Sequence, residues 1–458
     1  MRETRKHPIQ RASSNDLMAL AEDTGESPMQ VAAILVLDRT MDLEAVRSAL
    51  TDRITAVPRL RQRLRRAPFG CGRPVWIDSA GFAISRHVGE LQCPAPGDEG
   101  ALLEVATAAA AALLPSDSPL WSITLVHGLT GQRSALILVM HHVLGDGVGG
   151  IATLAMLVDG APAVPAVPFP APAPTRRELL ADATASRLQS LRSWPTGFEL
   201  VRDAAAELTG GRVGHPSPSS LNQPTGPRRQ CGVARADLGA LASVAHRHEA
   251  TINDVLLTAV AGALAAILRH RGESAETLVF SVPVSGRHDT TAPTLRNQVG
   301  VMLVEVSTLL EPIDQLAVIA ARTPARGGSR GRGASAVLME PLMRVLARFG
   351  AIRWFVNHQR MITTLVSNVH GPQTMMAFLG ATVLEIIPIS QVSGNVTISF
   401  TAMSYAGALA VTVIADPDHC SDLPLVVDEL QSKLNDLTAA LEPRCALEDG
   451  SLRPPASL

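Results

Sequence analysis

Residues 160–176 read GAPAVPAVPFPAPAPTR. Proline fixes φ and has no amide donor, so this run can enter neither a helix interior nor a central strand. It reads as a semi-rigid linker, and whatever the chain folds into is built as blocks on either side of it. A polar helical segment follows over about 177–208. A second turn-rich stretch, TGGRVGHPSPSSLNQPTGPRR, then runs to about residue 229. The expected organisation is a first block over 1–158, a linking segment over 159–229 and a second block over 230–458. The length of 458 residues suits this division, because one ordinary core serves roughly 200 residues.

Composition narrows the function. The net charge of −2 gives no global pull toward nucleic acid, and 3% aromatic residues make stacking on bases or sugars a poor expectation. Lys6 and Lys433 are the only lysines, so the basic residues are nearly all arginine. The five cysteines (Cys71, Cys93, Cys231, Cys420 and Cys445) are scattered, with no CxxC pair. That argues against a disulfide framework and a thiolate zinc site, and fits a reducing cytosol. The opening MRETRKHPIQRASSND has no apolar run after its charges and does not read as a secretory signal. The greasy stretch 256–268 falls short of the roughly 18 residues of a membrane span. If a chain of this kind meets a membrane, it is expected to lie on it and not to cross it.

Each block mixes strands and helices without regular alternation, which suggests two α/β sandwiches paired like the halves of a dimer. In the first block VAAILVLD (31–38), ITLVHGL and ALILVMHH read as apolar strands. PVWID and FAISRHV read as a strand pair, and 43–55 and 101–114 as helices. In the second, 237–247 and 252–269 are helical and LVFSVPVS and VGVMLVEV are strands. TTLVSNV is followed by a bend at His370-Gly371-Pro372. Further strands fall near 382–388, 396–403 and 408–414, and a last helix covers about 423–441. Residues 323–335 form a glycine/arginine loop, readable as an anion contact or as a plain exposed loop. Over 342–356 an apolar pattern (Leu342, Val345, Leu346, Phe349, Ile352, Phe355) is broken by Arg344, Arg348 and Arg353. It fits a membrane-surface helix and an ordinary amphipathic helix equally.

The outstanding string is HHVLGDGVGG, residues 141–150, directly after the strand ALILVM. Adjacent residues on an extended segment point to opposite sides, so one histidine can face a cleft while the other packs behind it. A neutral imidazole in reach of a hydroxyl can take its proton as the oxygen attacks a carbonyl, if its other nitrogen is held as a donor. There is no GxSxG elbow, and only Cys420, after His419, has a histidine beside it. Transfer without a covalent enzyme intermediate is therefore the simpler reading. Three other readings stay open. HHxxxD could hold a metal, although neighbouring histidines on opposite sides suit one ion poorly. Asp146 could cap a helix starting near Val148. Both histidines could be satisfied core residues.

HHVLGDG resembles the HHxxxDG motif of the coenzyme A-dependent acyltransferases that share the chloramphenicol acetyltransferase fold. Other segments are similar, in order, to the bacterial wax ester synthase/diacylglycerol acyltransferase family. They run from Asn15 through Glu26, Ser27, Pro28 and Met29, then VPRLRQRL, PVWID, FAISRHV and PLWSITLVHGL. In the second block they are INDVLL, VPVSGR, NQVGVM and SNVHGP. The resemblance covers about residues 14–420.

It implies two chloramphenicol acetyltransferase-like α/β domains forming a pseudo-dimer with a tunnel between them. It makes His142 the general base, His141 its structural neighbour and Asp146 a residue that shapes the site, followed by Gly147. In the wider fold such an aspartate pairs with an arginine, for which Arg287 is the candidate. Asn253 and Asp254 match the family's Asn-Asp motif, with an N-cap role in competition. Asn297 would support the second block's side of the tunnel. His370 departs from the family pattern, where proline is usual. The implied activity moves an acyl group from acyl-CoA to diacylglycerol or a long-chain alcohol, with acyl-CoA as co-substrate and no other cofactor. No nucleic acid partner is implied. The implied location is the cytoplasm, peripheral to the inner membrane face or to lipid inclusions. A polyketide or glycolipid alcohol as acceptor, and a silent lipid-binding homologue, are the competing readings.

Overall fold

Two six-stranded sheets frame the computed structural model, which describes residues 9–23, 28–162, 168–192, 215–285, 299–323, 351–392 and 394–439. The first half runs α1 (Ser14–Glu22), β1 (Gln30–Leu37), α2 (Leu43–Arg53), β2 (Gln62–Arg65), β3 (Val75–Asp78) and β4 (Val88–Gln92). It continues with α3 (Glu99–Ala111), β5 (Trp121–Leu129), β6 (Arg133–His141), α4 (Gly147–Leu157) and, past the proline run, α5 (Arg176–Arg192). The second half opens with β7 (Gln230–Asp237), α6 (Leu238–Arg247), α7 (Ile252–His270), β8 (Thr277–Ser285), β9 (Val299–Ser307), α8 (Pro312–Arg322) and α9 (Ile352–His358). It closes with β10 (Thr364–His370), β11 (Ala377–Phe378), β12 (Ala381–Ile389), β13 (Ile398–Tyr405), β14 (Ala408–Ala415) and α10 (Leu423–Ala439).

The helix starts are chemically marked. Asp42, Asp98 and Asp237 each accept the backbone N–H three residues on, which satisfies an orphan donor of the first turn. The strands follow their burial. β1 alternates, with Leu35 and Leu37 in the first core and Ala32, Ile34 and Val36 in a layer toward the second sheet. β13 is buried on both faces and reads as a continuous apolar run.

The first sheet has the order β11-β12-β1-β6-β5-β4, and the second β7-β14-β13-β10-β8-β9. The expected second block therefore sends β11 and β12 back into the first sheet, where β12 pairs antiparallel with β1, Ala32 opposite Ile389. The sheets meet where β12 packs on β13 and β14 and α3 on β7. Arg235 of β7 ties the layers, its Nε 2.6 Å from Glu385 Oε1 of β12 and its other nitrogens on Glu99 of α3.

Two expectations are corrected. FAISRHV does not pair with PVWID: residues Ile84–Arg86 make a short 3-10 turn, β4 begins at Val88, and the partner of β3 is β2. The polar alternation of Gln62–Arg65 hid that strand. The greasy 256–268 stretch belongs to a 19-residue helix, α7, long and apolar enough to cross a membrane. Here it is the central helix of the second core, with Leu256, Leu257, Val260, Leu264 and Ile267 fully buried. Most of the glycine/arginine loop, the start of the 342–356 helix and residues 193–214 lie outside the described residues.

Candidate active site

β6 carries its last residue, His141, directly opposite Gln30 of β1. Cross-strand partners share a face, here the one that faces α3. Gln30 is buried, and its amide Nε2 donates to the carbonyls of Ala110 and Ala112 at 2.7 and 2.8 Å. Its Oε1 accepts the Leu114 N–H at 3.2 Å. The side chain closes the C-terminus of α3, whose last carbonyls have no helical partner.

His141 is buried at 3% exposure. The Val143 N–H donates to its Nδ1 at 3.0 Å, so the ring proton sits on Nε2, which donates to Asp23 Oδ2 at 3.0 Å. Asp23 is the C-cap residue of α1. Both nitrogens of His141 are thus committed to structure.

The next residue leaves the strand. The His142 N–H donates to Met29 O at 2.7 Å, and Leu144 N–H to His141 O at 2.9 Å. Val143 and Leu144 fill the first core, which locks the turn. Asp146 then caps α4: its Oδ1 accepts the Gly149 N–H at 2.8 Å. The helix starts at Gly147, one residue before the expected Val148. A Cβ on Gly147 would lie 2.8 Å from Val369 Cγ2. The helix that follows the HHxxxDG string therefore abuts β10 of the second sheet with no room for a side chain at Gly147.

His142 is half-buried by surface area yet sits deep among protein atoms, and desolvation lowers its pKa below the ordinary 6.5. A hydrogen bond with its own backbone and the charges of Asp146 and Asp16 act the other way, while His141 adds to the lowering. Asp16 is itself buried, which raises its carboxyl. It forms the capping box of α1 with Ser13. The site thus offers an uncharged imidazole at neutral pH, on a turn locked by backbone bonds.

Other expected residues fall elsewhere. Asp254 is not an N-cap. Thr251 is, and Asp254 at the third helical position reciprocates, accepting the Thr251 N–H at 2.8 Å. Its other oxygen accepts the Thr323 hydroxyl at 2.6 Å. Asn253 stands beside it, half-buried. Asp254 thus serves the second core, joining α7 to the end of α8. Arg287 and Asn297 lie outside the described residues. His419 does not activate Cys420: its Nε2 bonds Pro224 O, while burial pushes the Cys420 thiol up to about 12 and the Cys231 thiol up to about 11. Neither thiol is a nucleophile at neutral pH. Trp121 of the PLW string fills the first core, its indole N–H on Leu60 O at 2.7 Å. A cleft between the sheets is lined by Pro28, Gln30, Arg229, Ile389 and Gln391 among others, and His142 is not in its wall.

Asp16, Asp23 and Gln30 were not singled out in the sequence. Asp16 carried a signal, the Ser-x-x-Asp capping box. Asp23 and Gln30 carried none beyond lying either side of Pro28-Met29, and the acidic residue given weight there, Glu26, lies outside the described residues.

Residues 13–256 match the wax ester synthase/diacylglycerol acyltransferase catalytic domain, and 295–438 match the C-terminal domain of the same family. "Probable diacyglycerol O-acyltransferase tgs1" of Mycobacterium tuberculosis is 30% identical over 413 residues, covering 86% of this chain and 88% of that protein. Among solved structures, the wax ester synthase/diacylglycerol acyltransferase of Marinobacter aquaeolei VT8 superposes with a TM-score of 0.65 at 20% identity, covering 94% of this chain and 99% of that one. The first condensation domain of the CDA synthetase superposes at 0.58 and 18% identity, covering 96% and 97%. These likenesses give the fold, a two-domain α/β architecture shared with condensation domains. The chain belongs to the wax ester synthase/diacylglycerol acyltransferase family.

Proposed function

We propose that this protein transfers a long-chain acyl group from acyl-CoA to the hydroxyl of diacylglycerol or a long-chain alcohol, with His142 as general base and no acyl-enzyme. The observation that carries this reading is the desolvated, uncharged imidazole of His142 on the turn between β6 and α4. The ring is hydrogen-bonded to the residue's own backbone. The neutral imidazole of His142 takes the hydroxyl proton as the oxygen attacks the thioester carbonyl. The tetrahedral intermediate then expels the CoA thiolate, and the imidazolium returns the proton to sulfur. Kinship with a protein named as a diacylglycerol O-acyltransferase favours that acceptor. Such acceptors place the enzyme at a lipid surface.

The test measures CoA release from palmitoyl-CoA with dioleoylglycerol, hexadecanol and a short soluble alcohol, beside His142→Ala. The variant is expected to lose at least roughly 100-fold, the share a positioned base supplies. Unchanged turnover would remove His142 from the mechanism. Wild-type protein that consumes no acyl-CoA with any of the alcohols would make the chain a lipid-binding homologue.

A further inference from the structure

Between Arg53 and Ile77 the chain carries seven arginines and no carboxylate, in a protein of net charge −2. Part of this charge is structural. Arg59 lies over the Trp76 ring at 3.9 Å, and Arg61, buried, over Phe169 at 4.3 Å. Arg63 and Arg65 are different. They occupy alternate positions of β2, opposite Ile77 and Val75, and both are exposed on one face. Arg66 follows them, also exposed. Among the described residues none of these three makes an ion pair or a side-chain hydrogen bond.

The β2–β3 hairpin ends in a tight turn. The Cys71 N–H donates to Pro68 O at 2.9 Å, and Gly70 takes φ +83°. The positive φ falls at the third turn position, where a type II turn calls for glycine. It puts Phe69 at the corner, 101% exposed. The tip is held firmly. Arg11 donates to the carbonyls of Cys71, Arg73 and Leu179 at 2.8, 2.9 and 2.9 Å, and its Nε pairs with Asp182 at 2.6 Å. α5 runs alongside, with Arg187 donating to Gly70 O and Leu188 exposed beside it.

A lone exposed apolar side chain needs no explanation. A fully exposed phenylalanine on a braced turn, beside three unpaired arginines in a stretch of chain without a carboxylate, is a different object. We infer that the β2–β3 hairpin tip docks the enzyme on an anionic lipid surface, Phe69 entering the acyl-chain boundary while Arg63, Arg65 and Arg66 meet the headgroups. Cationic side chains and an apolar anchor together are what interfacial binding requires. The inference rests on the interfacial reading above only for its choice of a lipid surface. It does not depend on the chemistry of His142.

Flotation of the full chain with vesicles tests it, using phosphatidylcholine alone against a 70:30 mixture with phosphatidylglycerol. Wild-type protein is expected to float with the mixed vesicles and not with phosphatidylcholine. Arg63→Gln/Arg65→Gln/Arg66→Gln should lose roughly 100-fold in apparent affinity, and Phe69→Ser roughly tenfold. Both should keep the wild-type melting temperature and CoA release with a soluble alcohol, because the replaced groups have no partners in the protein. Tryptophan fluorescence of Phe69→Trp should be quenched by brominated acyl chains. Equal flotation on both vesicles, or variants that float like the wild type, would overturn the inference. So would a patch whose loss affects only binding to an oligonucleotide. Flotation without turnover would instead count against the acyltransferase mechanism alone.

Discussion

His141 Nε2 lies 3.0 Å from Asp23 Oδ2. That bond ties the C-terminal end of α1 to the last residue of the strand that presents His142. The N-terminal helix is therefore part of the frame of the site. Asp23→Ala leaves a buried N–H unsatisfied and should cost about 1–3 kcal/mol, read as a lowered denaturant midpoint. Asp23→Asn keeps an acceptor oxygen and should fall between the two. Equal stability of all three forms would show the bond to be incidental.

Gly147→Ala forces a methyl to within 2.8 Å of Val369 Cγ2. The interface of α4 and β10 must open, at about 1–3 kcal/mol, and the turn carrying His142 moves with it. Val369→Ala should relieve the loss in the double variant. A double-mutant cycle on kcat/KM and on stability checks this, and additive effects would deny the contact.

The depressed pKa of His142 fixes a pH dependence. Under the proposed mechanism His142 acts when neutral, so kcat/KM should rise through an acid limb lying below pH 6.5, the ordinary histidine value. Asp16 acts to raise that pKa, so Asp16→Asn should move the limb further down. The sign for stability agrees. A histidine depressed in the folded state contributes fully above 6.5, and that contribution is lost as pH falls through the folded value. A limb at or above 6.5 in the wild type would contradict the desolvated ring.

Asp254→Ala removes the acceptor for Thr251 and Thr323. It should destabilise the second core by about 2 kcal/mol, while kcat per folded molecule stays near wild type. Active-site titration against circular dichroism separates the two. A fall in kcat at full folding would return Asp254 to the reaction.

Local features of the chain were legible in advance. Continuous apolar runs gave β1 and β6, and the reading of Asp146 as a helix cap placed the start of α4 within one residue. The HHxxxDG string located the candidate turn, because strand, histidines and glycines are neighbours in sequence. β2 was missed because its exposed arginines give no apolar period. The extent of α7 was legible, 252–269 against the observed Ile252–His270, because its apolar period runs the whole length.

The chain by itself determined where most of its apolar strands and helices lie and that a proline run divides them, since φ preferences, caps and side-chain periods act over a few residues. Tertiary structure alone decided that β12 returns to the first sheet beside β1, and that His141 is spent on Asp23 and Val143. It alone leaves His142 desolvated and Phe69 bare. Pairing, desolvation and exposure depend on atoms brought together from distant parts of the chain, and no local rule encodes which ones arrive.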